Sequence, residues 1–285
     1  MNTFNRNVSK ITAATLLALT LAACGGGSGS QSLNTDSTPT KELAEAKANK
    51  KYSISNYRAL INKELSEEGD DVVLENYRVS IDGKRYTSGD VDLSAFGEGV
   101  KRIGVTEEAE VKVGGVKGTA VRAGILHLYQ QPYSIVTGTE IKGGTVTALG
   151  RTENLEPEDL DFATVKGYAT QTLPSSGKFN YVGEALSQEQ TGKFNYTVDF
   201  TAKTGSGSIT DIADGITLHE GQIGKMSHTN PDNTVVSGYG IGSSARSNSG
   251  LSGTYKLGFF GPNADEVAGV VTSHYGDVGF GGKKQ

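Results

Sequence analysis

Beyond Lys51 the chain alternates apolar and polar residues in short runs broken by Gly, Asn, Asp and Ser. That period of two marks antiparallel strands with one buried face. Val79-Ser80-Ile81 enters Asp82-Gly83 and leaves through Lys84-Arg85-Tyr86-Thr87, which predicts a tight hairpin. Val111-Lys112-Val113-Gly114-Gly115-Val116-Lys117-Gly118 predicts a second. Ile125-Leu126-His127-Leu128-Tyr129 reads as a strand with His127 on its polar side, an ordinary surface histidine. Residues 51–161 are therefore expected to form an irregular, open antiparallel β-domain. RTENLEPEDLD, from Arg151 to Asp161, is acidic and contains Pro157; it predicts a connection, and the domain boundary is placed at its end.

Residues 162–285 are patterned more regularly. Gly177-Lys178-Phe179-Asn180-Tyr181 recurs as Gly192-Lys193-Phe194-Asn195-Tyr196. Within each copy the two aromatics point to one face of a strand, and the offset suits neighbouring strands of a hairpin with both pairs in a core. Further strands are predicted at 196–202, 207–212, 215–219, 234–239, 253–260, 267–272 and 277–281. With 177–185 these make about eight, enough for an antiparallel barrel that fills with its own side chains and leaves no open edge.

The N-terminus follows another pattern. Arg6 and Lys10 precede an uncharged apolar run from Ile11 to Ala23, too short to span a bilayer as a permanent helix and typical of a signal peptide over 1–23. Leu21-Ala22-Ala23-Cys24 resembles the lipobox of bacterial lipoproteins. The resemblance implies cleavage between Ala23 and Cys24, acylation of Cys24 with palmitate-type chains, and anchoring in outer-membrane lipid. GGGSGSQSLNTDSTPT after Cys24 reads as a flexible tether. KELAEAKANKK, from Lys41 to Lys51, closes the tether region 24–50 with helix formers that either dock or fray.

Composition narrows the classes. Gly contributes 39 of 285 residues without a three-residue period, which excludes a collagen helix. With 27 basic against 32 acidic residues no cationic field exists to capture nucleic acid. The single cysteine allows no disulfide within the chain. No nucleophile elbow, P-loop, HExxH or CxxC is present, so the expectation is a binding protein without a catalytic site, resident metal or cofactor. His228 and Met226, read as members of a loop 226–233, are the weak haem-ligand candidates. His219 closes a strand beside Glu220, and His274 and Tyr275 sit in a final hairpin turn. Glu67-Glu68-Gly69-Asp70-Asp71 reads as a solvated acidic loop, without the ligand spacing of a calcium loop. Gly238–Gly242 and Gly279–Gly282 flank strands and mark bulges or close backbone approaches.

Longer strings of residues carry a resemblance. Leu173-Pro174-Ser175-Ser176-Gly177 with Tyr181, the run from Gly192 to Gly207, Gly253-Thr254-Tyr255-Lys256-Leu257-Gly258-Phe259-Phe260-Gly261, Glu266-Val267-Ala268-Gly269 and the final Gly-Lys-Lys-Gln look like the C-terminal barrel of the factor H binding lipoproteins of neisserial type. They are similar, more distantly, to transferrin-binding surface lipoproteins. A weaker echo lies at Leu128-Tyr129-Gln130-Gln131-Pro132-Tyr133-Ser134. The resemblance implies an N-terminal open β-domain, a C-terminal eight-stranded barrel, and export by an outer-membrane translocator for surface lipoproteins. In that family two acidic side chains of the barrel help to hold complement factor H; the matching positions here are Leu251 and Thr272. Three readings follow: capture of factor H or a related serum protein for complement evasion, with Tyr129 and Tyr133 as candidate exposed contacts; capture of haem or an iron-carrier protein on the same barrel; or an envelope lipoprotein without a specific host ligand.

Overall fold

The computed structural model of the chain describes residues 40–55, 72–274 and 276–285. The expected signal peptide with Ala23 and Cys24, the expected Gly/Ser tether, the acidic run 67–71 and Tyr275 lie outside them. The helix-forming segment docks. Helix α1 (Lys41–Asn49) starts at Thr40, whose hydroxyl accepts from the Leu43 N–H at 3.4 Å, as an N-cap should. It buries Ala46, and Asn49 donates to the Gly167 carbonyl at 3.2 Å.

The N-terminal domain is an open antiparallel sheet, as the pattern predicts. A ribbon of β1 (Lys51–Ser53) and β4 (Asp90–Asp92) lies beside a seven-stranded sheet containing β2 (Val72–Ile81), β3 (Lys84–Tyr86), β5 (Gly99–Val113), β6 (Val116–Gln130), β7 (Ser134–Ala148), β8 (Arg151–Leu155) and β9 (Glu158–Gly167). Asp82 and Gly83 take φ of 50° and 73°, and Gly114 and Gly115 take 56° and 80°. Both expected hairpins therefore have the left-handed turn that matches strand twist. The domain is less irregular than its punctuated sequence suggests, since β5, β6 and β7 each run for 15 residues.

The expected connection over 151–161 is replaced by structure. β8 and the first four residues of β9 fall within it, and both strands pair with β7, over Gly144–Ala148 and Ser134–Ile141 respectively. The sheet runs on to Gly167, past the expected boundary. The acidic residues that suggested a solvated link alternate with Leu155, Leu160 and Phe162, all buried, so the segment is a one-sided strand pair interrupted at Glu156 and Pro157.

The barrel consists of β10 (Lys178–Leu186), β11 (Thr191–Asp199), β12 (Thr204–Thr210), β13 (Ile216–Thr229), β14 (Val235–Ser247), β15 (Ser252–Phe260), β16 (Glu266–Ser273) and β17 (Val278–Lys284), closed in chain order. The repeated aromatic motif forms the first hairpin, with Tyr181 directly opposite Tyr196. Both are buried together with Phe194, Tyr255, Phe259 and Phe280, and Phe194 stacks on Phe280 at 4.8 Å between centroids. The aromatics are core, as their alternation predicts. Closure comes from β10 pairing β17, for example Tyr181 with Lys284.

One hairpin outruns its neighbours. β12 pairs β13 only as far as Gln222, and β15 pairs β14 only from Gly240 onward, while β13 and β14 stay paired out to Thr229 and Val235. The excess forms an arm that reaches the N-terminal domain. His228 therefore lies on β13, not in a loop. The tip residues Asn230 and Asp232 are buried, although the sequence there looks like a solvated turn.

Candidate functional site

The features bearing on function are the junction between the domains and the barrel wall left exposed beside it. The junction begins with alternation on β17. Val278 and Phe280 point into the barrel, while Gly279 and Gly281 face outward. A side chain at Gly279 would meet the Phe162 ring at 2.6 Å, and one at Gly281 would meet Gln131 at 2.7 Å and Tyr129 at 3.0 Å. Glycine there lets the sheet lie against barrel backbone, the close approach that its sequence suggests. Tyr129, Val136, Leu160, Phe162 and Val165 from the sheet meet Leu186, Phe260 and Ala268 from the barrel in one apolar cluster.

Around that cluster, most polar contacts cross in one sense, with barrel acceptors holding N-terminal-domain donors. Asp232 Oδ2 accepts from the Ser53 N–H at 2.9 Å and from Lys166 Nζ at 2.6 Å. Glu266 accepts from the Tyr133 N–H at 3.1 Å and the Ser134 hydroxyl at 2.7 Å. Asp277 Oδ2 accepts from the Phe162 N–H at 3.4 Å, and Asn230 Oδ1 from the Val165 N–H at 2.8 Å. In the same sense Arg102 grips the turn between β10 and β11, donating to Gln190 O at 3.0 Å and Ser187 O at 3.2 Å. Burial pushes the Glu266 carboxyl up to about 7 and holds Lys50 down at about 8. Lys50 donates to the carbonyls of Gln131 and Pro132, tying α1 to the same corner.

These contacts relocate most of the expected site residues. Tyr129 is 7% exposed, shut between sheet and barrel, and burial raises its phenol to about 12; it is not a surface contact. Tyr133 is half-buried in the junction, its backbone on Glu266. His127 is fully buried rather than on a surface, because the polar side of β6 is covered at this end by the barrel. Its Nε2 meets Glu140 at 3.2 Å, and Glu140 is also held by Gln188 of the β10–β11 turn at 2.8 Å. His228 Nε2 bonds the Ala163 carbonyl at 2.9 Å, and the Met226 side chain lies over Gly240. Both candidate haem ligands are thus engaged within the fold. Among the described residues no cluster of three metal-ligating side chains occurs.

Leu251 and Thr272 separate by strand parity. Leu251 falls in register with the inward residues Tyr255 and Leu257 and is buried in the barrel core. It cannot touch a partner. Thr272 is exposed, directly opposite Thr254, which lies opposite Ser244. On the same outer wall stand Arg246, opposite Ser252, and Lys256, opposite Gly242. Both cations are exposed, and neither forms an ion pair among the described residues. The wall is a row of hydroxyls bordered by two free positive charges.

Sequence reasoning did not find this wall or the junction carboxylates. The one legible signal was the Gly/apolar alternation of β17.

Residues 171–271 match the family described as factor H binding protein, C-terminal. The match takes in β10 to β15 and most of β16, so the C-terminal domain is similar to that family's. Among solved structures the chain is similar to intact Ap-TbpB with its N and C lobes (18% identity, TM-score 0.40, 74% of this chain and 46% of that one). It is also similar to isotype 1 transferrin binding protein B from serogroup B Neisseria meningitidis (14%, TM-score 0.33, 75% and 44%) and to a Trp-176-Ala mutant of transferrin binding protein B from Haemophilus parasuis Hp5 (16%, TM-score 0.37, 74% and 45%). The chain spans less than half the length of each of these proteins.

Proposed function

We propose that this chain is a surface lipoprotein of the bacterial outer membrane, anchored through lipid on Cys24 and delivered by a surface-lipoprotein translocator. It binds a host serum protein, complement factor H or a related regulator. The observation that carries the reading is the family match across residues 171–271, which spans nearly the whole barrel. The lipobox and the Gly/Ser tether fit a domain held away from a membrane.

The binding contacts differ from those that the resemblance implies. Leu251 is interior and Thr272 is neutral. The outer wall of β14, β15 and β16 offers Arg246, Lys256 and a hydroxyl row instead, and so fits an acidic patch on the partner, because opposite charges across an interface steer encounter and fix register.

The test is capture from the sera of several hosts on the full chain immobilised through its N-terminal end, followed by identification of what is retained. Saturable retention of factor H supports the reading. Retention of haemoglobin, transferrin or nothing overturns it.

A further inference from the structure

The arm of β13 and β14 has two edges, and the fold treats them differently. Alternate pairs of an antiparallel hairpin exchange hydrogen bonds, and the residues between them turn their backbone groups outward. The Asn230 N–H donates to the Thr234 carbonyl at 2.9 Å, inside the hairpin. By the register, 228 with 236, 226 with 238 and 224 with 240 bond inward as well. Lys225, Ser227 and Thr229 therefore aim N–H and C=O away from β14. Ile223 fits the same parity, since its N–H donates outward to the Lys203 carbonyl at 2.8 Å. There the neighbouring chain ends, because β12 pairs β13 only to Gln222. The outward groups of Lys225, Ser227 and Thr229 have no hydrogen-bond partner among the described residues.

Other edges nearby are closed. The matching edge of β14 is covered by residues 168–171: Gln171 donates to Ser237 O at 3.2 Å, and a side chain at Gly238 would meet the Thr170 carbonyl at 3.1 Å. On β9 the N–H groups of Leu160, Phe162 and Val165 are capped by Gln188, Asp277 and Asn230. On β1 the Ser53 N–H is taken by Asp232 and the Lys51 carbonyl by Lys166. The β13 edge has no such cap. From Ile223 to Thr229 it also carries no proline, acid or bulge of the kind that discourages a new strand.

We propose that this edge is a strand-addition site, along which an extended acidic segment of the bound host protein pairs with Lys225, Ser227 and Thr229. Backbone hydrogen bonds supply the affinity in such pairing, and charge selects the segment. Lys225 stands in the edge and Lys203 at its base, both exposed and without an ion pair among the described residues. Lys256 of the outer wall faces Gly242, two residues beyond Gly240, where the arm parts from β15. The site thus extends the cationic wall, and it rests on the reading of the chain as a binder of a host serum protein.

The test is amide hydrogen exchange in the full chain, read residue by residue with and without complement factor H from each host whose serum yields it. The amides of Lys225, Ser227 and Thr229 should slow by at least about tenfold in the complex, while those of Met226 and His228, already bonded within the arm, change far less. Ser227→Pro removes the central outward donor without breaking a bond of the arm, and should weaken retention at least about tenfold. Ser227→Ala loses only the hydroxyl contact with Ser237 and should retain factor H as the parent does. If no serum yields factor H, the reading of the whole chain falls and this site with it. If factor H is retained while the three amides exchange as before, that reading stands and the strand-addition site is overturned. Unaltered retention by Ser227→Pro, or equal loss in both variants, overturns it too; the exchange pattern of the parent decides the matter even if the proline variant does not fold.

Discussion

Lys166 of the N-terminal sheet and Asp232 at the tip of the barrel's arm meet at 2.6 Å, with side chains 1% and 0% exposed. Lys166 also donates to the Lys51 carbonyl and the Thr234 hydroxyl, and Asp232 accepts from the Ser53 N–H and the Thr234 hydroxyl. Every strong donor and acceptor of the pair is thus satisfied, the condition under which a buried ion pair is tolerated.

Removing one partner leaves the other charged and buried. Lys166→Met should destabilise the chain by about 3–5 kcal/mol, whereas Lys166→Met with Asp232→Leu should recover much of that loss. Urea unfolding of the three proteins checks the expectation; equal loss in single and double variants would contradict it.

The pH dependence of stability has two opposing sources. Glu266 and Asp277 have raised folded values, about 7 each, so their contribution is complete below the unfolded carboxylate range near 4 and is lost as pH rises through 7. His127 and His228 are lowered chiefly by burial, so their contribution is present above about 6.5 and is lost as pH falls. Below about pH 6.5 the two act against each other; above it the imidazoles no longer oppose the acids, whose loss runs at about 1.4 kcal/mol per pH unit for each proton difference. Melting temperature should fall more steeply between about pH 6.5 and about pH 8 than below that range. His127→Gln, which removes one opposing group, should steepen the change below about pH 6.5.

Two of the buried phenols form a relay. The Tyr196 and Tyr255 hydroxyls are 2.7 Å apart, and Tyr255 donates onward to the His219 carbonyl at 2.7 Å. Tyr196→Phe leaves that last bond intact and should cost about 1 kcal/mol. Tyr255→Phe strands both the Tyr196 hydroxyl and the carbonyl, and should cost about 1–3 kcal/mol. The order of the two, read from denaturant midpoints, is the test.

Binding should follow the free cations of the outer wall. Arg246→Glu with Lys256→Glu places two negative charges where an acidic partner would dock, and retention of the serum ligand should drop by at least about tenfold. Leu251→Ile, a change inside the barrel, should leave retention unaltered. Loss in the second variant without loss in the first would move the contact elsewhere.

The barrel was legible because strands such as β11 alternate along their length, and the Phe179/Tyr181 and Phe194/Tyr196 repeats announce a hairpin whose pairing the structure shows. The junction was not, because it uses the face that alternation assigns to solvent. His127 and Tyr129 occupy outward positions on β6 and are buried only because another domain covers that end. Asn230 and Asp232 read as a surface turn for the same reason. No periodicity within a strand reports what stands opposite its outer face. Leu251 was misassigned by a different route: correspondence along the chain fixes position but not the parity of the strand that follows.

β17 is both the seam that closes the barrel and the floor on which Tyr129 and Phe162 rest. It also follows every other strand in chain order. Without Gly279 and Gly281 the earlier sheet has no such floor to lie on, so its docking depends on the strand that closes the barrel. A chain without β17 would present an unclosed edge and a bare apolar face together, so the lid of the barrel and the bed of the sheet are lost or kept as one.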